Sequence, residues 1–494
     1  MLLGLMITQP SEPTPVRIEP SRVVIRDWQG FGCSLSWWAV GTETWPEAAR
    51  QEVCRRLFGK GSGCLGLSIV RYNAGGTAPN ADPALFRPGG KVQVTLDADG
   101  TFHPERDRGQ LACLQAAARL GARTFELFVN SPPYWMLRNG DTRGADDGGE
   151  NLKPECEAEY ARWLVRVAAH VERHAAVRLE SVAPFNEPSA SWWRRDKSTQ
   201  EGCRILPASQ GRILRNLDTE LKNRPRPLVI AASDENDPAT AIRTLGILMN
   251  PNQGGVQPNV IGRVNVHSYF GWQSQEKLRQ RVDELGIRRV WMSEVSFREW
   301  ENAGYIPQDM RCALPQTRAI VNDLKRLRPN GWVYWQAVEP LELCLRYRFT
   351  YGLIQAALRD PVEWNAIRYE PGRFVVSKAF WALMVFSRFL RPGCRFIETS
   401  DFWTLAAISP DSRRLIIVVH HDEPKPRPWA ADLSAFRLVR PTAEIWRTMD
   451  DRDGIEWNCR ADTPRPIRRQ CLEDVLPPRS VTAYVIPISG QAKR

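Results

Sequence analysis

Leu179-Glu-Ser-Val-Ala-Pro-Phe-Asn186-Glu187-Pro188 is the stretch around which the sequence is organised. It begins as an apolar strand and ends abruptly, because Pro188 has no N–H to donate to a neighbouring strand. Proline also disfavours the helical region for the residue before it, so we expect Glu187 in extended geometry. The stretch therefore predicts a buried strand that presents a carboxylate where it ends.

Seven further apolar strands, separated by amphipathic helices, surround this stretch. Cys156–His174 shows the helical pattern most clearly, since its apolar residues recur at steps of three and four. Eight strands alternating with helices predict an α/β protein whose parallel sheet closes into a (β/α)8 TIM barrel. An open doubly wound sheet is the alternative, but no Gly-x-Gly-x-x-Gly turn follows the first strand. The predicted strands are Phe31–Trp37, Leu67–Tyr72, Phe125–Asn130, Leu179–Phe185, Leu228–Ser233, Val264–His267, Val290–Glu294 and Trp332–Gln336.

The two ends of the chain follow a different pattern. Residues 1–15 are rich in Pro, Ser and Thr and predict a flexible arm. Residues 16–27 alternate like an edge strand, and 386–490 hold short strands between Pro, Asp, Ser and Arg turns. We expect both segments to form one antiparallel β-sandwich side domain, next to a barrel that spans 28–385.

Composition excludes some classes of protein. With 43% hydrophobic and 25% charged residues and no apolar run of about 18, a membrane span is not expected. The net charge of +11 comes from 57 scattered Arg against 10 Lys, which predicts a basic surface and no specific nucleic-acid site. Met1–Ile7 is apolar but short and follows no basic residue, so it is a poor signal peptide and leaves the compartment open.

Metal and serine-hydrolase chemistry are not indicated. The 11 Cys form no Cys-x-x-Cys pair, and their number does not decide a disulfide state. His170 and His174 have helical spacing, but the intervening Glu is misplaced for His-Glu-x-x-His, so we expect surface histidines. Ser34 and Ser36 lack a Gly-x-Ser-x-Gly elbow. We expect neither a metal nor a cofactor.

Two carboxylates stand at predicted strand ends, Glu187 on the fourth strand and Glu294 on the seventh. Active sites of (β/α)8 barrels form at this end of the strands. Glycoside hydrolysis requires two carboxyl groups, one to protonate the leaving oxygen and one to attack or to activate water. For a retaining reaction we expect a separation of about 5–5.5 Å between them.

Other strand ends carry residues suited to the same chemistry. Arg71 would favour the ionised form of the second carboxylate, and His267 or Tyr269 would hydrogen-bond to it. Asn186 is placed to bind a sugar hydroxyl beside the reacting carbon. Further candidates for substrate binding are Asn130 and the flat faces of Trp37, Trp135 and Trp335.

Six motifs in the sequence carry a family resemblance. They are Gly30-Phe-Gly, Arg71-Tyr-Asn-Ala-Gly-Gly76, Asn130-Ser-Pro-Pro-Tyr-Trp-Met136, Pro184-Phe-Asn-Glu-Pro188, Ser293-Glu294 and Tyr334-Trp-Gln336. Together they resemble glycoside hydrolase family 30, above all its endo-β-1,6-galactanase-like branch. The resemblance implies retaining hydrolysis of an oligo- or polysaccharide without metal or cofactor, with Glu187 as acid/base and Glu294 as nucleophile. Members of the family often act outside the cell.

Four functions remain open at this stage. The first is a retaining endo-glycosidase acting on β-1,6-galactan side chains, and we expect it to be a monomer. The second keeps the chemistry but changes the sugar to a glucoside, xylan, fucoside or glucuronide. The third is a non-catalytic carbohydrate-binding protein, which the presence of both glutamates disfavours. The fourth, a nucleic-acid-binding protein, rests on charge alone. Two long loops, 74–108 and 131–154, would decide between endo and exo action.

Overall fold

A computed structural model describes residues 13–297, 307–348, 351–450 and 459–492. The predicted flexible arm, 1–15, lies outside the described residues except for its last three positions. The first regular element is strand β1 (Val16–Ile25).

Eight parallel strands follow and close into a barrel. They are β2 (Gly30–Ser34), β3 (Ile69–Asn73), β4 (Thr124–Phe128), β5 (Leu179–Ala183), β6 (Val229–Glu235), β7 (Arg263–His267), β8 (Arg289–Val295) and β9 (Gly331–Tyr334). Strand β9 pairs with β8 on one side and with β2 on the other, which closes the ring. The (β/α)8 fold class is thereby confirmed.

Helices on the outside connect these strands. They are α1 (Trp38–Gly41), α2 (Glu47–Phe58), α3 (Arg108–Leu120), α4 (Glu157–Ala175), α5 (Pro207–Lys222), α6 (Pro238–Met249), α7 (Gln275–Glu284) and α8 (Leu314–Arg326). Helix α4 buries one stripe that includes Tyr160, Leu164 and Val171, as its periodicity predicts. Within the described part of the chain, no helix has the length and apolar character needed to cross a membrane.

The last barrel strand is followed by an insertion that the sequence did not reveal. It contains β10 (Val338–Pro340), α9 (Leu341–Tyr347), β11 (Ile354–Ala356), β12 (Val362–Trp364), β13 (Ile367–Tyr369) and β14 (Phe374–Val376). Strands β10, β11 and β14 form a small sheet, while β12 and β13 form a hairpin. Each strand has only three residues, too few for an alternating pattern to stand out. Helix α10 (Lys378–Ser387), buried along its whole length, then leads away from the barrel.

The side domain is a ring of strands that includes the first and the last strand of the described residues. Its strands are β1 with β15 (Arg395–Thr399), β16 (Thr404–Ile408), β17 (Arg414–His421), β18 (Arg427–Asp432), β19 (Phe436–Leu438), β20 (Thr442–Thr448), β21 (Arg460–Arg468), β22 (Cys471–Leu476) and β23 (Ser480–Ala492). Strand β1 lies between β15 and β18, and β17 pairs with β23 to complete the ring. The pairing of β1 with β18 is parallel, and the other pairings described in this domain are antiparallel.

Alternation along β17 joins the side domain to the barrel. Leu415 and Ile417 point into the domain's own core, whereas Ile416 and Val418 belong to the large core that contains the barrel. On the same strand His420 is hydrogen-bonded through Nδ1 to Thr317 Oγ1 of α8 at 3.0 Å. The barrel core thus extends without a break into one face of the side domain, which keeps a second core of its own.

Val418→Asp tests this shared core. Val418 is fully buried, and a carboxylate there would have no partner, so we expect the free energy of unfolding to fall by about 3 kcal/mol or more. Thermal unfolding followed by circular dichroism measures the change. Val439→Asp, at a position that is 60% exposed in the same domain, is the matched control. Equal melting temperatures for both variants would contradict a shared core.

Candidate active site

Glu187 and Glu294 lie close together at the C-terminal ends of the barrel strands. One carboxylate oxygen of each glutamate and one ring nitrogen of His267 all lie within 4.8 Å of one another. Glu187, just beyond β5, is 9% exposed, and Glu294, on β8, is 5% exposed. Two carboxyl groups are therefore held side by side with little access to solvent.

The backbone of Glu187 departs from the predicted extended geometry. Its φ is 46°, in the left-handed region, so the expectation drawn from Pro188 is wrong. Two hydrogen bonds hold this conformation: the Glu187 N–H donates to the Asp234 carbonyl at 2.8 Å, and Trp193 Nε1 donates to the Glu187 carbonyl at 3.0 Å. Such a backbone costs about 1–3 kcal/mol and persists only where the surroundings impose it.

His267, buried at the end of β7, contacts three carboxyl groups. Its Nδ1 lies 3.0 Å from Glu187 Oε1 and 3.7 Å from Glu294 Oε1, while its Nε2 lies 3.4 Å from Asp234 Oδ1. Burial opposes a charged ring, but the carboxylates of Glu294 and Asp234 outweigh it and raise the pKa of His267 well above its usual value. These carboxylates therefore favour the protonated ring, an imidazolium.

Arg71, on β3, is the second buried cation of the site. Its Nε donates to Glu126 Oε1 at 2.8 Å, its Nη1 donates to the Ser293 carbonyl at 3.1 Å, and its Nη2 donates to Asp234. The same Nη1 lies 3.6 Å from Glu294 Oε2. Burial disfavours the charge, yet the carboxylates around Arg71 raise its pKa above the usual range. Its guanidinium thus links β3 to β4, β6 and β8 and reaches the carboxylate of Glu294.

Glu294 is subject to opposing influences on its charge. Burial comes first and, with the nearby Glu187 carboxylate, raises the pKa of Glu294 to about 7, while His267 and Arg71 act in the opposite direction. The hydroxyl of Tyr269 donates to Glu294 Oε1 at 3.1 Å, which also favours the ionised form. A nucleophilic carboxylate must be ionised, so these three side chains offset the effect of burial.

The charges inside the barrel balance when the glutamate pair carries one proton. Three cations face four carboxyl groups: Arg71, Arg263 and His267 against Glu126, Asp234, Glu187 and Glu294. A single proton shared by Glu187 and Glu294 makes this buried cluster neutral. One protonated and one ionised carboxyl group is the state that retaining glycoside hydrolysis needs.

The two predicted tryptophans of the first and eighth barrel strands lie together. Trp37 and Trp335 contact each other edge to face, with ring centroids 4.8 Å apart. The guanidinium of Arg87 covers the Trp37 ring at 4.4 Å, and the exposed fractions of the two tryptophans are 3% and 7%. Trp37 Nε1 has no hydrogen-bond partner among the described residues. Trp37 therefore offers an unused donor, and stacking of sugars on these rings stays a prediction.

The remaining predicted residues fall into two groups. Asn186 Oδ1 and Asn130 Nδ2 are buried without a hydrogen-bond partner in the described part of the chain, so both are available to sugar hydroxyls. Trp135 lines a cleft of about 200 Å³ next to α4, together with Arg162 and Trp163. No hydrogen bond or ring contact described here joins Trp135 to either glutamate.

Only one group of described side chains has the spacing to hold a metal ion: Glu187, His267 and Glu294. A protonated His267 has no lone pair at either ring nitrogen to offer a metal. The guanidinium of Arg71, 3.6 Å from Glu294, would also repel a cation. The arrangement therefore suits acid–base and nucleophilic chemistry by the two carboxyl groups better than it suits metal binding.

Sequence reasoning missed four buried charged residues that support the site: Glu126, Glu201, Asp234 and Arg263. Glu201 accepts hydrogen bonds from Gly76 N at 2.9 Å and Thr77 Oγ1 at 2.8 Å, which ties down the loop after β3. Asp234 follows the predicted strand Leu228–Ser233 directly, so the strand-end rule would have found it. The other three had no signal of this kind, since their partners come from distant parts of the chain.

Comparison with known proteins identifies a family and several relatives. The family model for O-glycosyl hydrolase family 30 matches residues 15–346. An endo-beta-1,6-galactanase of Hypocrea rufa is 28% identical over 412 residues, covering 79% of this chain and 78% of the relative. An exo-beta-1,6-galactobiohydrolase of Bifidobacterium longum subsp. longum is 22% identical over 426 residues, covering 66% of this chain and 27% of the relative.

Among solved structures, a conserved exported protein from Bacteroides fragilis has the same fold. It superposes with a TM-score of 0.79 at 20% identity and covers 96% of this chain and 100% of its own. At this identity the likeness concerns the fold alone.

Tyr269→Phe tests how the charge of Glu294 is set. The variant removes a hydrogen bond to the ionised carboxylate, so the pKa of Glu294 should rise by about one unit. Activity that needs ionised Glu294 is lost as pH falls through this pKa, so the acid limb of kcat/KM should move about one unit higher. The profile is measured with an activated aryl glycoside, and Tyr369→Phe, on the β12–β13 hairpin and without a described contact to either glutamate, is the control. An unmoved acid limb would contradict this role of Tyr269.

Proposed function

This chain belongs to O-glycosyl hydrolase family 30, and from that premise we propose that it hydrolyses β-glycosidic bonds with retention of configuration. Glu187 is the acid/base and Glu294 the nucleophile. The observation that carries the proposal is the approach of one carboxylate oxygen of each glutamate to within 4.8 Å of one oxygen of the other. Retaining enzymes hold the two groups about 5–5.5 Å apart, whereas inverting enzymes need about 6.5–9.5 Å to admit a water molecule between them.

The reaction proceeds in two displacements. Glu294 attacks the anomeric carbon and forms an ester, while Glu187 gives its proton to the departing glycosidic oxygen. Glu187, now ionised, takes a proton from water, and the resulting hydroxide equivalent attacks the same carbon and releases Glu294. No metal takes part in either step as we propose it.

The neighbouring side chains fit these two roles. The imidazolium of His267 binds Glu187 Oε1 at 3.0 Å, which leaves Oε2 to carry the transferable proton. Arg71 and Tyr269 contact opposite oxygens of Glu294, at 3.6 Å from Oε2 and 3.1 Å from Oε1. These contacts fix the orientation of the Glu294 carboxylate plane before the substrate binds, so little reorganisation is needed during attack.

The substrate we propose is β-1,6-galactan, cleaved within the chain by a monomeric enzyme without a specific nucleic-acid site. The relative from Hypocrea rufa, matched along 79% of this chain, supports both the linkage and the endo action. Asn186 and Asn130, with their unpartnered amide atoms, would bind sugar hydroxyls, and Trp37, Trp135 and Trp335 would add aromatic contacts. A second candidate is exo action on the same linkage, which the match to the galactobiohydrolase favours.

Substitution of each glutamate separates the two roles. Glu294→Gln removes the nucleophile, so kcat should fall by about 10⁴-fold or more on every substrate. Glu187→Gln removes the acid, so cleavage of natural galactan should fall by a similar factor while an activated aryl galactoside still forms the ester.

Added azide should then speed turnover of the activated substrate by Glu187→Gln and give a β-configured galactosyl azide. Glu284→Gln, at the exposed end of α7, is a control outside the site. Equal losses for the two glutamate variants on all substrates, with no azide product, would contradict the assignment.

Product analysis decides the substrate and the mode of cleavage. With de-arabinosylated arabinogalactan, an endo enzyme should release a ladder of β-1,6-galacto-oligosaccharides early in the reaction, resolved by anion-exchange chromatography. Nuclear magnetic resonance of the first product should show the β-anomer before mutarotation. Disaccharide alone would indicate the exo alternative. Rapid cleavage of a glucan or xylan with none of galactan would overturn the proposed sugar.

A further inference from the structure

Asp234 lies in β6, between the strands that carry the two glutamates. It is fully buried, and its φ of 63° places its backbone in the left-handed region. The described polar contacts of Asp234 are with Glu187 itself or with residues next to or in contact with one of the two glutamates. No step of the proposed reaction uses it directly.

On the acid/base side, Asp234 makes two connections to Glu187. Its main-chain carbonyl accepts the hydrogen bond from Glu187 N–H at 2.8 Å, which fixes the left-handed backbone of that residue. Its Oδ1 lies 3.4 Å from His267 Nε2, and the opposite ring nitrogen binds Glu187 Oε1 at 3.0 Å. Asp234 therefore helps to fix the backbone conformation of Glu187 directly and the position of its carboxyl group through His267.

On the nucleophile side, Asp234 also makes two connections. Its Oδ1 accepts a hydrogen bond from Ser293 Oγ at 2.5 Å, one residue before Glu294 in β8. Its Oδ2 accepts from Arg71 Nη2, and Nη1 of the same guanidinium lies 3.6 Å from Glu294 Oε2. The carboxylate of Asp234 therefore orients the cation that faces the nucleophile.

We infer that Asp234 is a positioning residue, which sets both the separation of Glu187 and Glu294 and the number of protons that the pair retains. The inference rests on the proposed function, since it describes how that site is held. A single side chain that reaches both glutamates couples their positions, so a displacement of one is transmitted to the other.

The charge of Asp234 acts on every titratable group packed around it. Arg71 on β3 and His267 on β7 face it directly, and these two cations in turn contact Glu126 on β4, Glu187 after β5 and Glu294 on β8. Burial favours the neutral acid, but Arg71 and His267 hold the pKa of Asp234 below its usual range, so it stays ionised. Removing this negative charge makes each proton of the cluster easier to lose.

Asp234→Asn tests the inference, because it deletes the charge but leaves the carbonyl that binds Glu187. We expect kcat on an activated aryl galactoside to fall by about 10²-fold with KM changed by less than about twofold, since the reacting groups are misplaced while substrate contacts remain. Both limbs of the pH profile should move to lower pH by about one unit. A kcat within about twofold of wild type and an unmoved profile would overturn the inference.

Asp323→Asn is the matched control. Asp323 is equally buried and accepts hydrogen bonds from Ser268 Oγ and Trp332 Nε1, both at 2.8 Å, but contacts neither Arg71 nor His267 among the described bonds. Its loss should lower the melting temperature without shifting the pH profile. An equal shift in this variant would show that any buried carboxylate has the effect, which would overturn a specific role for Asp234.

Two further measurements keep the test decisive. If Asp234→Asn does not fold, Ser293→Ala removes one anchor of Asp234 without changing charge, and should lower kcat several-fold with KM and profile unmoved. An unchanged kcat would overturn the inference.

Proton–nitrogen spectra of the imidazoles, with His267 assigned by His267→Asn, should show His267 losing its proton at lower pH in Asp234→Asn than in wild type. This readout needs no activity, so wild-type inactivity on every glycoside would overturn the proposed function alone.

Discussion

The buried ion pair between Arg71 and Asp234 is the contact on which the polar cluster at the C-terminal ends of the barrel strands depends. An unpaired charge in an apolar interior costs far more than the whole stability of a domain, so four carboxyl groups can be held there only with cations among them. Such pairs add little net stability compared with a packed apolar core, whereas removal of one partner costs about 3–5 kcal/mol. The barrel thus keeps a polar centre for chemistry, and its stability comes from the apolar layer between strands and helices.

The positions of the proposed reacting residues were predictable from the sequence for a simple geometric reason. A closed parallel barrel brings all eight strand ends to one rim, so a polar residue at the end of any strand enters the site. Arg71, Glu187, His267 and Glu294 were found by this rule, and the structure brings all four together. Tyr269 was predicted as a site residue because it lies two residues beyond the end of β7.

What the sequence did not reveal depends on contacts between distant segments. Glu126 and Arg263 look like ordinary polar residues within their strands, and only the barrel's closure shows that each neutralises the other. The left-handed backbone of Glu187 was missed because local rules saw only Pro188, while the deciding hydrogen bond comes from Asp234, a neighbour in space. Strand β21 contains Pro464 and Pro466, residues that local rules count against a strand, yet it pairs with β20 in the side domain.

The pairing of β1 with strands from the other end of the sequence affects how the chain folds while it is being synthesised. Arg17 of this strand donates its N–H to Ser400 Oγ, a partner 383 positions later in the chain. A ribosome that adds about 5–20 residues per second needs roughly 20–75 s to reach that partner. During that interval the barrel strands can emerge and pair, while the first strand remains with both of its edges open. Unpaired strand edges are templates for pairing with other chains. Strand β1 therefore leaves the ribosome long before its partners and is incorporated late, and the nascent chain is most exposed to mispairing while its barrel is being completed.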